Sequence, residues 1–224
     1  MSRRGIFPSP FFVSVTLITA VTVAVIICAF SCSGRTLDFE AEYYFVCYSV
    51  EDNSLSASSV SGAVNSYGGA GYVFEYQNNY YVTVACYYDE KAADKVRFQL
   101  LRRGLDCEVL KVERKEYYLR KGDKSREKLY LGNLTTLNSL SCLSYEAANG
   151  LDRGELSQSG AKSVLADIKS GLKGLKNANL DNCFSGELRR LIAECDAIEG
   201  FIFSKDMRRL QIAIIDTVIN INLY

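Results

Sequence analysis

The 224-residue chain contains no histidine and no tryptophan, and its only prolines are Pro8 and Pro10. Without histidine there is no Ser-His-Asp or Cys-His triad, no zinc site with His ligands and no His acid/base step. Net charge is also missing: 26 Lys and Arg balance 26 Asp and Glu, so bulk electrostatics do not draw the chain to nucleic acid. Eight cysteines are present, at 28, 32, 47, 86, 107, 142, 183 and 195, but no CxxC pair, so neither a zinc ribbon nor a thioredoxin-type motif is supported. They read as small buried thiols, with disulfides as the alternative in an oxidising compartment. No metal or cofactor is expected. Hydrophobic residues make up 48%, which suits a globular chain of one domain or two small ones.

Charge is absent again from Gly5 to Gly34, after Arg3 and Arg4. Within this window Phe11–Phe30 is a twenty-residue apolar run, ~30 Å long as a helix and matched to a bilayer core. Twelve of its residues are Phe, Val, Leu or Ile, contributing on the order of −4 to −7 kcal/mol to insertion. A cleaved signal peptide would have a shorter apolar region and a small-residue cleavage site, and Phe30 is bulky. The run reads as a single-pass anchor. Arg3 and Arg4 place the N-terminus in the cytoplasm and the chain after about residue 35 outside it.

After a short linker at 36–42, residues 43–113 read as β-α-β-β-α-β. Tyr43–Val50, Ala70–Tyr76, Tyr80–Tyr88 and Asp106–Val112 have strand composition. Leu55–Tyr67 and Glu90–Arg103 have helical spacing, the second with Asp89 as N-cap, and each ends at glycine. This order implies an α+β, ferredoxin-like split-βαβ domain, a four-stranded antiparallel sheet with both helices on one face. Alternation turns Phe45, Cys47, Val82, Val84 and Cys86 toward those helices. It turns Tyr44, Val46, Tyr48, Tyr81, Thr83 and Ala85 to the opposite face. An open face bearing three tyrosines is a candidate binding surface, unless the C-terminal helices cover it.

The stretch Tyr80-Tyr81-Val82-Thr83-Val84-Ala85, then Tyr87, Glu90, Ala92 and Ala93, ending Leu100-Leu101-Arg102-Arg103-Gly104-Leu105, resembles the SPOR domain. Tyr44-Phe45-Val46-Cys47-Tyr48 is similar to that family's opening strand. The SPOR domain is a bacterial cell-wall module of division septa and sporulation. The resemblance implies binding of peptidoglycan glycan strands stripped of their peptides, on the exposed sheet face. It places Val46 and Ser49 at first-strand contacts, and Asn79 and Tyr81 at the start of the third strand. With the outward-facing positions, the candidate glycan-binding set is Tyr44, Val46, Tyr48, Ser49, Asn79, Tyr81 and Thr83. The chain departs from the family pattern where Tyr81 replaces a basic residue and Ala85 a glycine. An RNA-recognition reading of the same sheet is opposed by a net charge of −3 over 43–113.

Residues 114–128 carry seven basic and three acidic residues and read as a basic linker. From 129 to 224 the apolar stripes imply amphipathic helices in an antiparallel bundle, or helices that pair with another chain. Turns are expected near Gly150–Gly154, Asn177–Asn182 and Ser204–Lys205. Glu146, Glu155, Glu187 and Glu194 sit in helical patterns as solvated surface residues, so no enzyme is expected. Two functions are in view. One is a membrane-anchored protein that binds peptidoglycan in cell division or sporulation. The other is a scaffold that binds other envelope proteins through its sheet face and C-terminal helices.

Overall fold

A computed structural model describes residues 35–119, 124–176 and 182–221. The expected anchor at 11–30 lies outside them. Among the described residues no helix is long and apolar enough to cross a membrane.

The described residues form an α+β fold, with a four-stranded antiparallel sheet and six helices. The strands are β1 (Arg35–Glu51), β2 (Tyr72–Tyr76), β3 (Asn79–Tyr87) and β4 (Glu108–Leu119). The helices are α1 (Ser54–Ser66), α2 (Glu90–Leu101), α3 (Lys124–Asp152), α4 (Gln158–Lys176), α5 (Asn182–Ala197) and α6 (Ser204–Asn220). The sheet order is β2-β3-β1-β4.

Local chemistry sets the element ends. Asn53 caps α1 by accepting from Ser56 N–H, and Asp89 caps α2 by accepting from Ala92 N–H, both at 2.9 Å. Asp206 accepts from the Phe203 N–H at the start of α6. The β2–β3 hairpin turns on two residues, Gln77 and Asn78, both with positive φ, which matches the right-handed strand twist. Gly71, at φ +56°, lies so close to α1 that a Cβ there would meet the Ser61 carbonyl oxygen at 2.6 Å.

The expected linker at 36–42 is strand, and the expected basic linker is strand as far as Leu119 and helix from Lys124. Residues 36–42 belong to β1 and pair with 113–118 of β4, which spans the first part of the expected basic linker. The strands therefore extend well beyond 43–113. The helical region packs directly on the sheet. Phe45, Phe74, Cys86 and Val112 of the sheet share one buried core with Leu134 and Leu137 of α3, Leu172 of α4, Leu188 of α5 and Ile214 of α6. Of the expected stripe Ala161, Leu165, Ile168, Leu172 and Leu175, all are buried except Leu165, which is half-buried. Helix α6 is buried on nearly every side, Gln211 and Thr217 included. It begins at Ser204, so the expected turn at Ser204–Lys205 is instead the first turn of a helix, and the connection runs through 198–203. The α3–α4 connection falls at 153–157, close to the expected Gly150–Gly154.

Candidate functional site

The candidate glycan-binding residues do not share a surface. Tyr44 is 6% exposed and Val46 fully buried, both packed with Ala93 of α2 and with Ala85 and Cys107. Tyr48 is half-buried between α1 and α2. Ser49 pairs with Val82, which packs on Ala57 and Val64 of α1, and the Ser49 hydroxyl is buried without a partner among the described residues. These four lie on the face covered by α1 and α2. Tyr81 lies on the other face, packed against the main core, and burial pushes its phenol pKa up. Thr83 is fully buried and donates to the Tyr72 carbonyl at 2.9 Å. Asn79 closes the hairpin, its amide reaching the Gln77 carbonyl at 3.4 Å.

The face assignment therefore needs correction. Phe45, Cys47 and Cys86 face the C-terminal bundle rather than α1 and α2, whereas Tyr44, Val46, Tyr48 and Ala85 lie beneath α1 and α2. Two β-bulges account for part of this. Val46 pairs with Ala85 but Cys47 with Thr83, which leaves Val84 as an extra residue in β3. Ser49 then pairs with Val82, which leaves Tyr48 extra in β1. Each extra residue shifts the alternation by one, so Val82 and Val84 face the helices as expected and Ala85 and Cys86 exchange faces.

The expected open face is filled by α3 and α6. Buried Tyr43 donates to Asn138 Oδ1 of α3 at 2.9 Å, and Tyr88 bonds Ser141 of α3 at 2.7 Å. Gln211 of α6 donates to the Cys86 carbonyl at 3.1 Å, and Tyr117 donates to the Val218 carbonyl at 2.7 Å. Beneath these contacts Phe45 and Phe74 stack with ring centroids 4.6 Å apart. The sheet is thus the middle layer between two helical layers.

What remains open is a groove of about 1110 Å³ along the β2 edge of the sheet. Ser54 and Ser58 of α1 form one side, and Glu187 and Arg190 of α5 with Asp216 and Thr217 of α6 form the other. Val73 and Glu75 of β2 and the hairpin residues Tyr76 to Asn78 also line it.

A polar network lies at its base. Arg190 donates to Glu187 at 2.9 Å, to the Tyr72 hydroxyl at 3.0 Å and to Thr217 at 3.1 Å, and lies 3.6 Å from Asp216. Tyr72 and Asn220 both donate to Asp216. Burial raises the Asp216 carboxyl above the ordinary aspartate range, opposed by these hydrogen bonds and by Arg190. The geometry makes Arg190 a clamp that ties α5 and α6 to the sheet edge. Sequence reasoning passed over this network and read Glu187 as solvated surface. The available signal was Asp216, an acidic residue inside the apolar run Ile212–Ile219, which needs a partner when buried.

Among the described residues no group of three His, Cys, Asp or Glu side chains could hold a metal ion. Comparison with protein-family models, curated proteins and solved structures finds no match for this chain.

Proposed function

We propose that the chain is a single-pass, membrane-anchored envelope scaffold that works by binding other proteins, not by turnover. In this reading residues 11–30 are the anchor, and residues 43–113 are a SPOR-like, ferredoxin-like unit fused to its own helical cover. The strand order β2-β3-β1-β4, with α1 and α2 as the two crossovers, supports the split-βαβ assignment. The observation that carries the scaffold reading is the filling of the second sheet face by α3 and α6. A glycan strand lying across β1 and β3 would have to displace this core, at a cost of about 1.5–3 kcal/mol for each large side chain uncovered.

Sacculus binding separates the two functions. Full-length protein is incubated with purified cell-wall sacculi, with and without removal of the stem peptides, beside an Asn79→Ala/Tyr81→Ala variant whose fold is checked by circular dichroism. The scaffold reading expects no gain in binding on stem removal, and protein adducts after cross-linking in native membranes. Binding that rises on stem removal and drops in the variant would overturn it in favour of peptidoglycan recognition.

A further inference from the structure

We propose that the groove beside β2 is a strand-addition site that takes an extended, basic segment of a partner polypeptide. The inference rests on the scaffold reading and gives that scaffold its point of contact.

Hairpin geometry fixes which backbone groups are available. The turn has two residues, so the flanking pair Tyr76–Asn79 exchanges hydrogen bonds, and bonded pairs recur at every second position. Phe74–Tyr81 and Tyr72–Thr83 are therefore bonded pairs, whereas the N–H and C=O groups of Val73 and Glu75 point away from β3. Strand β2 is an edge of the sheet, and Val73 and Glu75 line the groove. Their outward backbone groups are a template for one more strand.

The walls suit that occupant. Helix α1 stands on one side of the slot, and α5 and α6 on the other, so a chain entering it lies in the plane of the sheet. Among the described residues the same groove carries the carboxyl groups of Glu75, Glu187 and Asp216 against one lining cation, Arg190, whose guanidinium is already bonded to Glu187, Tyr72 and Thr217. The surplus of negative charge favours basic side chains on the incoming strand. It also disfavours a second copy of this acidic edge.

The probe is a short synthetic peptide alternating lysine and valine, compared with its glutamate–valine counterpart, on full-length protein in nanodiscs. Binding is read by fluorescence anisotropy, and amide protection by hydrogen exchange. The expected result is binding of the lysine peptide alone, with new protection at residues 73 and 75. Val73→Pro removes an outward N–H without taking a bond from the β2–β3 ladder, so the hairpin survives while strand addition is blocked. Val73→Pro and Glu75→Lys should each weaken binding by roughly tenfold, about the loss of one hydrogen bond or favourable charge contact. Equal binding of both peptides, no protection at 73 and 75, or undiminished binding to Val73→Pro would overturn the proposal. So would self-association that protects these amides without peptide, which would make a second copy the occupant. A failed peptide assay with protein cross-links intact removes this site and leaves the scaffold reading standing. Stem-dependent sacculus binding removes the scaffold reading itself.

Discussion

The Tyr72 hydroxyl donates to Asp216 Oδ2 at 2.5 Å, joining the sheet edge to the last helix across 144 positions of sequence. Arg190 of α5 donates to the same hydroxyl, so one phenol couples three elements. The bond explains how an acidic residue is tolerated in the most buried helix of the bundle, and it makes the sheet and the helices depend on each other.

Arg190→Ala should destabilise the protein by about 2 kcal/mol, a buried-pair loss discounted because the guanidinium is partly exposed. Tyr72→Phe should cost about 1–2 kcal/mol, since it removes the hydrogen bond given to Asp216 and the one accepted from Arg190. Chemical denaturation of both variants and of the double mutant measures the coupling. Strictly additive losses would show that the three groups do not act as one network.

Burial raises the Asp216 pKa, so the folded state holds a proton at a pH where the unfolded chain has released it. This residue's contribution to stability must then rise as pH falls through its folded pKa, and level off below the unfolded value. Asp216→Asn lacks that titration. Melting temperatures measured from about pH 7 to about pH 4 should therefore shift in favour of the wild type relative to Asp216→Asn as acid is added. A shift the other way would mean that Arg190 outweighs burial at this site.

Phe74 is fully buried and stacked on Phe45 beneath the bundle. Phe74→Ala should cost about 3–5 kcal/mol. Because the core is continuous from sheet to bundle, far- and near-ultraviolet circular dichroism should lose signal in one coincident transition. Two separated transitions would mean that the bundle folds independently of the sheet.

Asn78 occupies the left-handed region at φ +64° in the hairpin turn. Asn78→Gly should be neutral or stabilising by up to about 0.5 kcal/mol, and Asn78→Val should cost about 1–2 kcal/mol. Urea midpoints decide this, and a stable valine variant would refute the two-residue turn.

Burial raises the thiol pKa of Cys47 and Cys86, and pushes that of Cys195 up to about 11. A thiol reagent applied near pH 8 should leave these three unmodified in the folded protein and label them once denaturant is added. Peptide mapping reads the sites, and rapid labelling of Cys86 in the native state would contradict its place between sheet and bundle.

Much of the local structure was legible. The Asp89 cap, the glycines after α1 and α2 and most of the stripe along α4 each follow from interactions within a few residues. The faces of the sheet were less so. Tyr43–Val50 has no polar alternation, because one set of its side chains meets α1 and α2 and the other meets the bundle. Such a run reads the same in either phase, and the bulges at Tyr48 and Val84 have no sequence mark.

The candidate site divides along the same line. Tyr44, Tyr48 and Tyr81 were recognisable as aromatics on neighbouring strands, yet whether a strand residue meets solvent depends on what folds over it. Element types, their order and the apolar stripes are written in the chain, since these rest on periodicity, capping and backbone preference. Long-range packing is what lays α3 and α6 on the sheet, puts the tyrosines on opposite faces and brings Arg190 to Tyr72 and Asp216 at a groove. Those outcomes depend on contacts between residues up to 144 positions apart, selected by how much apolar surface each arrangement removes from water.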